Sequence, residues 1–244
     1  MVPYISCDNH MTIYSYDQMH AEHIAMAKMF EDQLVPELNH GLPANWDIQH
    51  QCVETHDLSP ASEEWKHCEK LVTKSLPVTI TKITRIQNMW LLEAYNFNKA
   101  RMRVRNDGII HEMDLFHGSG SNDPLEIACG EEGLDLRLSR GGSWGYAIYL
   151  TESAQYSDRF AYLTASDERV IIIAKALIGI SYDFGTSKKK ELRMPPVKEN
   201  SKQNVANIRY DSVSGITKNA RVFMLYHNYR AYPSYIVYYK STSA

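Results

Sequence analysis

Residues 170–178 read VIIIAKALI, an almost unbroken apolar run bounded by Asp167-Glu168 before it and Gly179 after it. A strand that is apolar on both sides has to be covered on both sides. That commits the chain to a sheet with packed material on each face. Further strands are expected at Val78–Ile86, where β-branched residues dominate and turn residues are missing, and at Val222–Tyr226 and Tyr235–Tyr239. Short apolar runs at 114–117 and 147–150 add two more, the first stopping at His117-Gly118. Ser59-Pro60 introduces a helix over 61–76 with Trp65, Cys68, Leu71 and Val72 on one face, and a second helix is expected over 88–103 with Leu91, Leu92 and Tyr95 turned inward. Strands in succession with helices gathered toward the N-terminus give an α+β class, not a βαβ repeat.

At 244 residues the chain is long enough for one domain with an extension. Residues 1–45 form that extension, with a helical pattern over 17–34 (Met19, His23, Met26, Phe30) limited by Pro36; the domain proper is 46–244. Gly41-Leu42-Pro43 reads as the linker, and residues 183–209, polar and broken by Gly185, Pro195 and Pro196, read as a surface loop. A net charge of −3 gives no general attraction to nucleic acid or anionic membrane, although Lys188-Lys189-Lys190 is a local basic run. Cys7, Cys52, Cys68 and Cys129 show neither disulfide-framework nor zinc-module spacing. Reduced thiols in the cytosol or nucleus are therefore expected, without a resident metal. No signal-peptide pattern opens the chain, and no run reaches the ~18 to 20 apolar residues of a membrane span.

Between the runs at 114–117 and 147–150 lies a glycine-rich, polar passage, read as a long loop. Loops of this kind tend to be functional, and glycine lets backbone approach a ligand closely. Two motifs inside it are decoys. Gly141-Gly142-Ser143-Trp144-Gly145 fits G-x-S-x-G, but a nucleophile elbow needs a strand before the serine and a helix after it. Here the strand-like run comes after. Gly118-Ser119-Gly120 would open a dinucleotide fingerprint, but Asp123 stands where its third glycine belongs.

Taken as one string, LFHGS, GLDLR, WGYAIYL and a serine eight residues beyond Tyr149 resemble the donor-site signature of the poly(ADP-ribose) polymerase-like ADP-ribosyltransferases. Ile83–Asn88 with Leu91, Glu93, Tyr95, Lys99 and Met102 is similar to an early strand and helix of that family. Tyr210–Val213, VFMLYHN and RAYPSYIVYY resemble its C-terminal part. The likeness covers about 46–240. It implies the ADP-ribosyltransferase fold, with two packed, mainly antiparallel sheets and flanking helices. It also implies NAD as donor and an oxocarbenium-like transition state as in glycoside chemistry.

The resemblance assigns roles residue by residue. His117 matches the histidine that contacts the nicotinamide-side ribose, and Gly118 with Ser157 match the pair that grips the carboxamide. Tyr149 matches the tyrosine stacked on the nicotinamide ring. Phe160 stands where a second stacking tyrosine is usual, and Arg137 is placed to reach the adenosine or phosphate side. Val222 occupies the third catalytic position, where chain-elongating members carry glutamate. Valine cannot activate a ribose hydroxyl, so the resemblance implies a mono-ADP-ribosyltransferase that modifies a protein, or a nucleic-acid end; separately, a monomer is expected. The alternative is a catalytically silent binding module of the same fold.

Overall fold

The computed structural model describes residues 41–198 and 208–241, together with the short strands β1 (Tyr4–Ile5) and β2 (Met11–Thr12). The chain divides into two compact units, Met1–Cys52 and Val53–Ala244. In the first, β1 and β2 pair antiparallel with Tyr4 opposite Thr12. The helix expected over 17–34 lies outside the described residues.

The second unit opens with β3 (Val53–Asp57) and α1 (Glu63–Thr73), then β4 (Val78–Asn88) runs directly into α2 (Met89–Arg105). β5 (Glu112–His117), α3 (Pro124–Cys129), β6 (Ile148–Thr151), α4 (Ala154–Asp158) and β7 (Tyr162–Leu163) follow. β8 (Arg169–Leu177), β9 (Ser181–Asp183), β10 (Ser212–Thr217), β11 (Ala220–Leu225) and β12 (Ala231–Ser241) complete the unit. Caps explain several of the helix boundaries. Ser62 Oγ accepts from Trp65 N at 3.1 Å, which starts α1 at Glu63 and not at residue 61. Asn88 Oδ1 caps α2 through Leu91 N at 3.2 Å, while its Nδ2 donates to the carbonyls of Ala128 and Gly130 and so ties α2 to the end of α3.

Among the described residues, the 10-stranded sheet of this unit follows the path β3-β4-β12-β8-β5-β6-β11-β10-β9, with β7 paired to β8 off that path. The pairing is antiparallel except between β9 and β10. The two sheets implied by the resemblance are thus two halves of a continuous path. They meet where β5 and β6 share the registered pair Phe116–Thr151. That joint is narrow because β6 has four residues and β5 ends at His117.

β8 lies between β12 and β5, and its alternation settles where the core goes. Ile171 and Ile173 pack with Trp65, Cys68, Val72, Ile83 and Phe116 on one face. Ile172 and Ala174 pack with Leu115, Leu134, Leu150 and Phe223 on the other. Both faces are therefore covered, as an unbroken apolar strand demands. A buried polar knot closes the far side: Asp211 Oδ2 accepts from Asn106 Nδ2 at 2.7 Å and Ile180 N at 2.9 Å, and Arg105 pairs with the same carboxylate.

Candidate active site

His117 is the last residue of β5 and Tyr149 lies in β6, so the narrow joint brings the two together. His117 Nδ1 is 2.9 Å from the Tyr149 carbonyl oxygen. A carbonyl only accepts, so Nδ1 carries the proton and Nε2 keeps its lone pair. Burial lowers the His117 pKa below the ordinary imidazole value, opposed by the bond to the Tyr149 carbonyl. The ring is neutral at neutral pH and offers an acceptor.

The Tyr149 hydroxyl is fixed from the other side. It accepts from Trp144 N at 2.9 Å and donates to Gly145 O at 2.8 Å. Burial pushes the phenol up to about 12, which keeps it a donor. These bonds anchor the ring to a tight turn at 142–145, closed by Gly142 N to Gly145 O at 2.9 Å. The serine-hydrolase-like motif is therefore a turn that holds Tyr149, with strand β6 following it.

Ser157 comes from α4, whose N-cap Ser153 accepts from Tyr156 N at 3.1 Å. Ser157 is 2 % exposed, and its Oγ has no hydrogen-bond partner among the described residues. Gly118 faces the same segment. A Cβ at 118 would come within 2.6 Å of the carbonyl oxygens of Ser157 and Phe160, so only glycine allows β5 to leave the sheet here. Gly120 N then donates to Phe160 O at 2.8 Å, which fixes the approach. Phe160 is half exposed, with its ring 5.7 Å from that of Tyr156.

His117, Gly118, Tyr149, Ser157, Phe160 and Val222 all line one cavity of about 500 Å³. Val222 is 1 % exposed on β11, opposite Thr151 and Gly215, and packs with Trp144, Val213 and Met224. Arg137 is placed otherwise than expected. It is not in the cavity wall; its Nη2 is 2.7 Å from Asp135 Oδ2 and 3.0 Å from Glu132 Oε1. The cause is local, since Asp135 caps the 3-10 turn Leu136–Leu138 and draws the arginine back along its own loop.

Sequence reasoning missed Trp144, Tyr156, Thr151 and Arg140, which also line the cavity. One signal was available for Trp144. Gly215 sits inside a strand, and glycine there marks a close approach; a Cβ at 215 would strike the Trp144 indole. Trp144 Nε1 donates to Ser187 O at 2.9 Å, which fastens the loop after β9 over this side.

A donor with a carboxamide, an aromatic cation and ribose hydroxyls fits what these groups leave open: an unpartnered buried hydroxyl, ring faces and an imidazole lone pair. Among the described residues, no group of three or more His, Cys, Asp or Glu is arranged to hold a metal ion. None of the described helices is long and apolar enough to cross a membrane.

Residues 62–241 match the model of the poly(ADP-ribose) polymerase catalytic domain. Protein mono-ADP-ribosyltransferase PARP12 of Mus musculus is 30% identical over 190 residues, which cover 76% of this chain and 25% of that protein. A probable poly(ADP-ribose) polymerase of Dictyostelium discoideum is 27% identical over 211 residues, covering 81% of this chain and 57% of the relative. Protein mono-ADP-ribosyltransferase PARP11 of Mus musculus is 27% identical over 237 residues, covering 87% and 67%. The chain thus spans about a quarter of the first of these relatives and over half of the second. With most of its length matched, the chain belongs to the poly(ADP-ribose) polymerase catalytic domain family.

Proposed function

We propose that this chain is an NAD-dependent mono-ADP-ribosyltransferase that moves ADP-ribose from NAD to a protein acceptor and releases nicotinamide. The observation that carries the reading is the unpartnered hydroxyl of Ser157 beside Gly118, in one cavity with the tied pair His117 and Tyr149. Ser157 Oγ and the Gly118 backbone grip the carboxamide. Tyr149 and Phe160 present ring faces to the pyridinium, an attraction worth about 0.5 to 2 kcal/mol. His117 Nε2 accepts from a ribose hydroxyl. Orientation of this kind lowers the barrier by fixing the reacting groups beforehand.

The bond between the ribose C1′ and the nicotinamide nitrogen breaks, and its electron pair leaves with nicotinamide. The new bond forms from C1′ to the acceptor oxygen. Val222 supplies no base, so the acceptor must already be a nucleophile, and an ionised carboxylate on the target protein meets that need without losing a proton. Nothing in the cavity selects a nucleic-acid end over this acceptor. Residues 46–244 form the transferase domain in this reading, 1–45 are an extension, and the chain acts as a monomer. The cysteine spacing in the sequence favours a reducing compartment, the cytosol or nucleus.

The burial of Val222 in an apolar cluster favours a second reading, a silent binding module. Labelled NAD separates the two. Label transferred by the wild type and lost in His117→Ala and Tyr149→Ala supports the enzyme. Equal background in all three proteins removes it.

A further inference from the structure

NAD carries two phosphates, and Arg137 is not free to meet them, because Glu132 and Asp135 already hold its guanidinium. A second cavity of about 650 Å³ adjoins the first and shares Asn122, Ile127, Gly133, Asp135 and Leu138 with it, so the two form one cleft. The second cavity is lined by Asp123, Glu126, Glu131, Glu132 and Asp135 and by no lysine or arginine among the described residues. An anion placed there alone would be repelled.

Among the described residues, Arg140 is the sole lysine or arginine in the wall of either cavity. Its Nη2 donates to Ser121 Oγ at 3.3 Å, and Ser121 lines the second cavity while Arg140 lines the first. The guanidinium therefore spans the joint. It is exposed and has no carboxylate partner among the described residues, and its fork of N–H groups matches phosphate oxygens.

We propose that Arg140, and not Arg137, binds the diphosphate of the donor at the joint between the two cavities. This rests on the reading of the cleft as an NAD site. The nicotinamide riboside lies on the His117 side. The adenosine extends along the acidic cavity, where its amino and hydroxyl groups find acceptors. Arg140 is a positioning residue for the donor.

Calorimetric titration with ADP-ribose tests the assignment, with nicotinamide binding followed by NMR as the uncharged control. R140A is expected to weaken ADP-ribose about tenfold or more, as for loss of a charge-assisted hydrogen bond, while R140K keeps part of the affinity and R140Q keeps none of the gain. Nicotinamide should bind wild type and R140A alike, and R137A should hold ADP-ribose within about twofold because it loses only an exposed ion pair. The proposal is overturned if R140A binds ADP-ribose as the wild type does, if R137A is the variant that loses it, or if R140A loses nicotinamide equally. A wild type that binds neither probe overturns the NAD-site reading itself, and this assignment with it. A wild type that binds both, with R140A unaffected, overturns the Arg140 assignment alone.

Discussion

Ser157 is buried with its hydroxyl unsatisfied, and a buried polar group left without a partner costs about 1 to 3 kcal/mol. Such a group either weakens the fold for nothing or is held ready for something that comes and goes. The two cases differ by experiment. Ser157→Ala should keep or raise the melting temperature, because no hydrogen bond of the protein is lost, while transfer from NAD falls by about tenfold or more. A drop in both melting temperature and activity would make Ser157 a structural residue. At this scale much was legible in the sequence. His117, Gly118, Tyr149 and Ser157 are set by strand ends, a tight approach and a short capped helix, so their spacing along the chain survives into space. Arg137 was not legible. It lies three residues from Arg140 on a loop, and Asp135, a neighbour whose pull the motif does not encode, holds its guanidinium along that loop.

Elements reward reading where one periodicity rules. The runs expected at 170–178 and 78–86 are strands at Arg169–Leu177 and Val78–Asn88, and the helix expected over 88–103 is Met89–Arg105. β3 was missed because VETHD has one apolar residue, Val53, followed by four polar ones, so neither an apolar run nor an alternation marks it, and it lies at the edge of the sheet, where burial asks little of it. The passage read as one long loop holds α3, which has six residues, yet its start was written in the sequence as Asp123 before Pro124. β11 carries the prediction at this scale. Val222 faces Trp144, Val213 and Met224, so Val222→Glu would bury a carboxylate among apolar groups. Burial raises that carboxyl's folded pKa above its unfolded value, so the folded state binds the extra proton. The variant should be less stable than the wild type by about 2 kcal/mol or more at neutral pH, recovering as pH falls through the raised pKa. It should make no polymer, since the carboxylate is desolvated in the wrong surroundings. Melting curves from pH 8 to pH 5 and a gel of the labelled products check both halves, and long ladders would refute the second.

Across the whole second unit, the candidate site lies over the joint where the sheet has a single registered pair. The two halves share one registered pair, Phe116–Thr151, and beside it the His117 bond to the Tyr149 carbonyl crosses the same joint. Groups from both halves line the cavity: His117 and Gly118 follow β5, whereas Tyr149 and Val222 belong to β6 and β11. A ligand held by both sides adds contacts across a seam that the backbone alone holds narrowly. Binding to the folded state alone stabilises it by about 2.7 kcal/mol at a hundred times the dissociation constant. If the halves open locally at this seam, amide protection should rise most at its two edges. Hydrogen exchange with and without saturating ADP-ribose should therefore slow first in Leu115–Gly118 and Ile148–Thr151. β8 and β12, already covered on both faces or paired on both edges, should change little. Uniform slowing over all strands would mean that the ligand stabilises the unit as one body and that the joint does not open on its own.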